Sequence, residues 1–250
     1  MDLDQFSPKE RELIARVEKA EAELSSDPRG WGFFHAGDEA LALIKDLPGV
    51  QFLDLFEACD DGATTDEGLA HVRGMQSLIC LRLGPGITDQ GLVHLREFVG
   101  LRELRLDSAA DVSDDGLAHL GRLTGLEELS LQYTGISDAG LTSLAGLVRL
   151  ADLTLDGTEI TDAGLKHLHG CTALKKISLH HTGITKKGIA AFQKALHVCK
   201  VSWDAPAEEA TQRSVAPKKK AAKKPAGAES ALPLRMTFKG STRQRIGLAD

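Results

Sequence analysis

A returning pattern of leucines restricts this chain more than any other feature. L-x-x-L-x-L, with other apolar residues at some positions, starts at Val50, Leu78, Leu101, Leu126, Leu150, Leu174 and Val198. The steps between these starts are 28, 23, 25, 24, 24 and 24 residues. Most blocks are followed by a Thr/Ser-Asp-x-Gly-Leu-x-x-Leu element: "TDEGLAHV" at 65, "TDQGLVHL" at 88, "SDDGLAHL" at 113, "SDAGLTSL" at 137 and "TDAGLKHL" at 161. A period in this range builds a solenoid, because one short unit cannot bury its own apolar face and must stack on its neighbours.

Each half of the unit has a local logic. "LADLTLDG" alternates leucine with polar residues, which predicts a strand with one buried face. In "TDAGLKHLHGC" the apolar positions Leu165, Leu168 and Cys171 recur every three residues, which predicts a short helix with one inward side. Thr161 is placed to cap that helix, Asp162 lies in its first turn where the helix dipole favours a negative charge, and Gly164 allows close approach between stacked turns. Parallel strands stack about 4.8 Å apart, whereas helices need about 8–10 Å. The strands must therefore line the inner arc of a curved body.

These motifs resemble the leucine-rich-repeat family, specifically short bacterial repeats with a T-D-A-G-L element, themselves similar to the cysteine-containing repeats of F-box adaptors. The resemblance covers residues 50–203. It implies an α/β fold: a leucine-rich-repeat solenoid with a curved parallel sheet on the concave side and short helices on the convex side. The family's Asn or Cys after the strand is replaced here by Thr134, Thr158 and Thr182, and the last unit has Lys186 and Lys187 where others carry Asp and a small or polar residue. No F-box precedes the repeats.

Three segments follow. Residues 1–49 form an N-terminal cap, with a charged amphipathic helix from about Pro8 to Leu24 (Leu13, Val17, Ala20 and Leu24 on one side) and a capping half-repeat at 38–49. Residues 50–203 form the solenoid, closed at its far end by Trp203. Residues 204–250 form a disordered basic tail rich in Lys, Ala and Pro. The net charge of −6 is divided: residues 205–250 carry ten bases against four acids, leaving −12 for residues 1–204.

Function is expected on the concave sheet, where the non-leucine strand positions align in columns. One column runs Phe52, Cys80, Glu103, Glu128, Asp152, Lys176 and Lys200; a second runs Asp54, Arg82, Arg105, Ser130, Thr154, Ser178 and Ser202. A third runs Phe56, Gly84, Asp107, Gln132, Asp156 and His180, with Tyr133 and His181 just beyond. The candidate partner surface comprises Glu103, Arg105, Asp107, Glu128, Gln132, Tyr133, Asp152, Asp156 and His180. Stacked carboxylates repel, and a partner with basic character would relieve them. A solvated face is the plain alternative.

The remaining motifs point away from chemistry. His71, His94, His119 and His167 occupy one helix position, but helices about 8–10 Å apart cannot share a zinc ion held at about 2.0–2.1 Å. Asp60, Asp61 and Asp66 in the loop 57–68 lack EF-hand spacing. Cys59, Cys80, Cys171 and Cys199 form no C-x-x-C and read as reduced thiols. No nucleophile elbow, phosphate loop, H-E-x-x-H or dinucleotide fingerprint occurs. The chain reads as a non-enzyme that needs no cofactor, metal, membrane or small-molecule substrate, and with no signal segment it is expected in the cytoplasm.

The expected function is a non-catalytic scaffold for a protein partner. Two alternatives stay open: a nucleic-acid-associated protein acting through the tail, and a substrate adaptor in protein turnover. In the tail, Lys218, Lys219, Lys220, Lys223 and Lys224 could contact nucleic acid weakly and without sequence preference, contact an acidic protein, or mask the chain's own acidic stripe. "ALPLRMTFKG" alternates Leu232, Leu234, Met236 and Phe238, as a peptide that extends another protein's sheet would.

Overall fold

A computed structural model describes residues 3–20, 22–27, 30–56 and 64–204. A nine-stranded sheet runs through them in sequence order: β1 (Glu23–Asp27), β2 (Gly30–Phe34), β3 (Phe52–Asp54), β4 (Cys80–Arg82), β5 (Glu103–Arg105), β6 (Glu128–Ser130), β7 (Asp152–Thr154), β8 (Lys176–Leu179) and β9 (Lys200–Trp203). β1 and β2 are antiparallel, and every later neighbour is parallel. The pairing places Phe52, Cys80, Glu103, Glu128, Asp152, Lys176 and Lys200 in one row, as the leucine alignment requires. This is a leucine-rich-repeat solenoid, with parallel strands on one side and helical turns on the other.

The leucines make the core. Leu53, Leu81, Leu104, Leu129, Leu153 and Ile177 are each at most 2% exposed, and the helical turns contribute Leu69, Leu92, Leu117, Leu141 and Leu165. The helical turns are α3 (Asp66–Leu69), α4 (Asp89–Leu92), α5 (Asp114–Leu120) and α6 (Lys186–Ala195), with 3₁₀ turns at Gly140–Leu144 and Gly164–Gly170. Thr134, Thr158 and Thr182 are fully compatible with the fold. Each donates its hydroxyl to the carbonyl of the last strand leucine (Leu131, Leu155 and Leu179) at 2.6–2.7 Å, so the turn is satisfied without Asn or Cys.

The T-D-x-G element acts across repeats as well as within them. Asp38, Asp66, Asp89, Asp114, Asp138 and Asp162 each accept two bonds from the next unit's Thr or Ser, namely Thr65, Thr88, Ser113, Ser137, Thr161 and Thr185. The backbone N–H donates at 2.7–2.9 Å and the hydroxyl at 2.5–2.7 Å. From Thr88 onward the same hydroxyls accept a helix-start N–H, as an N-cap does. The glycine makes room for the ladder: a Cβ on Gly91, Gly116, Gly140, Gly164 or Gly188 would overlap the carboxylate reaching forward from the preceding unit. Lys186 replaces Asp in the final unit, where no further repeat follows to receive it.

The N-terminal cap differs from the expected form. α1 spans Pro8–Lys19, started by a capping box in which Ser7 and Glu10 exchange bonds, and it ends at Ala20. Leu24 lies in β1 instead, paired opposite the fully buried Phe33 of β2. Strand pairing with an aromatic segment overrides a helical register that is sound locally. Behind β2, Trp31 packs edge-on to Phe6 and Phe33, with centroids 5.0 and 6.2 Å apart. α2 spans Asp38–Ile44, between β2 and β3. At the other end the last block is less closed than expected, since Trp203 and Val201 are half-buried and Val198 is 62% exposed.

Candidate functional site

The concave row holds different chemistry at its two ends. At the N-terminal end, Phe52 and Cys80 point away from the leucine core yet are buried, Phe52 against the Phe34 ring 5.1 Å away. Beside them Arg82 binds the nearly buried Asp54 at 2.6 Å and lies over the Phe56 ring. This end of the face is filled by its own side chains.

From β5 to β8 the face opens into a groove of about 300 Å³. Arg105, Asp107, Glu128, Gln132 and Asp152 line it together with Thr154 and Lys176. Five of the nine candidate residues therefore converge on one concavity. Lys176 and Thr154 were absent from the candidate surface although they align with it in the columns; the alternation of sign from Asp152 to Lys176 was the available signal.

The expected bare acidic stripe is not what the strands present. Glu103, Glu128 and Asp152 are cross-strand neighbours. Glu103, however, is largely buried and bonded to Arg105 at 3.1 Å, and Asp152 pairs with Lys176 at 3.1 Å. A cation from the adjacent column, Arg105, and one from the next strand in the same column, Lys176, fold over these acids and offset the repulsion. Asp107 is buried and accepts the Ser130 hydroxyl. Asp156 accepts from Ser178 at 3.0 Å and from the His180 N–H at 2.7 Å. Glu128 is exposed, and no ion pair to it occurs among the described residues.

Tyr133 stands on the rim, 52% exposed, at the first position after the strand where the chain turns left-handed. Equivalent turn positions are Ser108, Gly157 and His181, all with positive φ. Tyr133 holds φ 55°, a conformation that costs a side chain about 1 kcal/mol. Its ring covers the Cα of Gly157, which has no Cβ to obstruct it.

His180 is not part of the groove. Its ring bridges Ser202 at 2.7 Å and Asp204 at 2.8 Å, and Asp204 also accepts the His181 N–H. These bonds, chiefly from the His180 ring and then from the His181 backbone, hold the Asp204 carboxyl below its ordinary range. The order Ser–His–Asp is that of a hydrolytic relay. Here the acid is about half-exposed, shared between two histidines and placed directly after the last strand, so the network braces the sheet end.

The other motifs resolve structurally. His71, His94 and His119 are half-buried and His167 exposed, and no cluster of His, Cys, Asp or Glu able to hold a metal ion occurs among the described residues. Asp66 is a rung of the ladder and so is committed to Thr88; Cys59, Asp60 and Asp61 lie outside the described residues. Cys80, Cys171 and Cys199 are buried free thiols, and burial pushes Cys171 and Cys199 up to about 11. No helix among the described residues is long and apolar enough to cross a membrane. The tail lysines Lys218–Lys220, Lys223 and Lys224, and the segment Leu232–Phe238, lie outside the described residues.

Fold and surface together define the class: a repeat solenoid presenting a rigid concave face. Among solved structures the chain is similar to internalin C2 of Listeria monocytogenes, with a TM-score of 0.55 and 19% identity over 70% of this chain and 72% of that one. A Listeria monocytogenes internalin, inlF, gives a TM-score of 0.45 and 18% identity, and this chain spans 62% of its length. No family model and no curated protein matches the chain.

Proposed function

We propose that this chain is a non-catalytic scaffold that binds a protein partner in the β5–β8 groove, with Glu128 as its charged contact and Tyr133 as its aromatic anchor. The observation that carries the reading is Tyr133. A large aromatic side chain is exposed at a strained turn position that the next repeat fills with glycine, and strain of this kind gathers where surfaces are used. Tyrosine supplies much contact area at low entropy cost, which makes it a frequent hot spot. Glu128 lines the groove in the same unit and favours a partner with a basic group. The repeat core is indifferent to what the columns carry, so the face can be tuned without loss of fold.

The test is retention of a protein from native lysate by the full chain and two variants, Tyr133→Ala with Glu128→Lys, and alanine at all five lysines from Lys218 to Lys224. A protein held by the full chain and the tail variant but lost by the groove variant supports the reading. Equal retention by all three places the contact elsewhere. The reading includes a cytoplasmic setting, to which the buried free thiols are suited.

A further inference from the structure

The concave row that carries Glu128 continues through Asp152 and Lys176 to Lys200, one residue per strand from β6 to β9. Its two middle members pair with each other at 3.1 Å. Glu128 and Lys200, at its ends, are exposed, and neither has an ion pair among the described residues. The row is therefore a neutral centre between one uncommitted negative charge and one uncommitted positive charge.

The surface beneath the row is continuous. Beyond the β5–β8 groove lies a second hollow of about 340 Å³, to which Lys200, Ser178, Val201 and Ser202 contribute. The two hollows share Asp152, Thr154 and Lys176. The charge of the chain changes sign along them: residues 164–204 carry seven lysines, no arginine and a single acid, Asp204. That acid is engaged by His180 and His181. An anionic group entering the second hollow meets Lys200 and serine hydroxyls, and the one carboxylate that lines it, Asp152, is already paired with Lys176.

We propose that the concave face takes an extended peptide segment of a protein partner, crossing the strands from β6 to β9 with a basic side chain against Glu128 and an acidic side chain against Lys200. This rests on the groove reading and adds to it the partner's second charge and the spacing of the two. Strands about 4.8 Å apart set Glu128 and Lys200 about 14 Å apart across three pairings. An extended chain advances about 3.3–3.6 Å per residue, so the partner's two charges stand about four residues apart. A nucleic acid, negative throughout, would be repelled at Glu128, and a uniformly basic segment would be repelled at Lys200. Opposite charges at a fixed separation reject both, and this is how charged groups supply specificity beyond affinity.

The experiment is selection from a phage-displayed library of random peptides of about twelve residues, long enough to span the two charges in any register. The targets are the full chain, Glu128→Lys and Lys200→Glu, with circular dichroism to check each fold. Peptides enriched by the full chain should carry a base and an acid about four residues apart; those enriched by Lys200→Glu should lose the acid, and those enriched by Glu128→Lys the base. In fluorescence anisotropy a labelled peptide from the first selection should bind Lys200→Glu about tenfold more weakly, and replacing its acid by lysine should restore binding to that variant. An acid content that is the same for the full chain and Lys200→Glu overturns the inference, and the groove reading survives if Glu128→Lys still removes the base. Identical selections by all three proteins, or no enrichment over an uncoated surface, overturn both.

Discussion

Two rows of carboxylates run along this molecule one repeat apart, and they behave in opposite ways. In the helix-side ladder every member is Asp, and every one accepts the same pair of bonds from the following unit. On the concave face the row changes from Phe52 and Cys80 through three acids to two lysines, and each acid has its own surroundings. Uniform repetition marks residues that hold repeat to repeat. Variation at a fixed, structurally equivalent position marks residues that the stacking leaves to other uses.

The contrast can be broken most severely at the ladder's glycines. Gly140→Ala pushes a methyl group into the Asp114 carboxylate and breaks the rung it makes with Ser137, so a loss of about 3 kcal/mol is expected. Urea unfolding measures it; an unchanged midpoint means the rung is dispensable. Asp114→Ala leaves the Ser137 N–H without its acceptor and should cost about 2 kcal/mol, with Asp114→Asn intermediate. On the concave side the expected sign reverses: Tyr133→Gly relieves the left-handed backbone and should raise stability by about 0.5–1 kcal/mol while weakening partner capture. A destabilised glycine variant would show the ring to be structural. Smallest of all, Glu128→Ala should alter stability by less than about 0.5 kcal/mol, and a larger loss would move Glu128 into the ladder's class.

Much of the fold was legible before any coordinates. The leucine spacing located β3 to β9 and their register. The β1–β2 hairpin was not legible. Ala20 and Leu24 fit a helical face as well as any pair in α1, and only pairing with Phe33 decides against it. Asp162 was read as a first-turn residue; it lies just ahead of the 3₁₀ turn Gly164–Gly170, and its partner, Thr185, is 23 residues away. One available clue was that Asp disappears at Lys186, where the stack ends.

For the surface, alignment into columns identified the residues that face the groove but could not assign their bonds. Periodicity reports what each unit must bury, and burial of leucine is local, repeated and independent of which neighbour supplies the contact. The sequence by itself therefore determined the solenoid, its core and its direction of curvature. Only the stacked structure decided which carboxylates are committed to a neighbour and which are not. Those bonds span adjacent repeats and form only when the strands and turns are already in register.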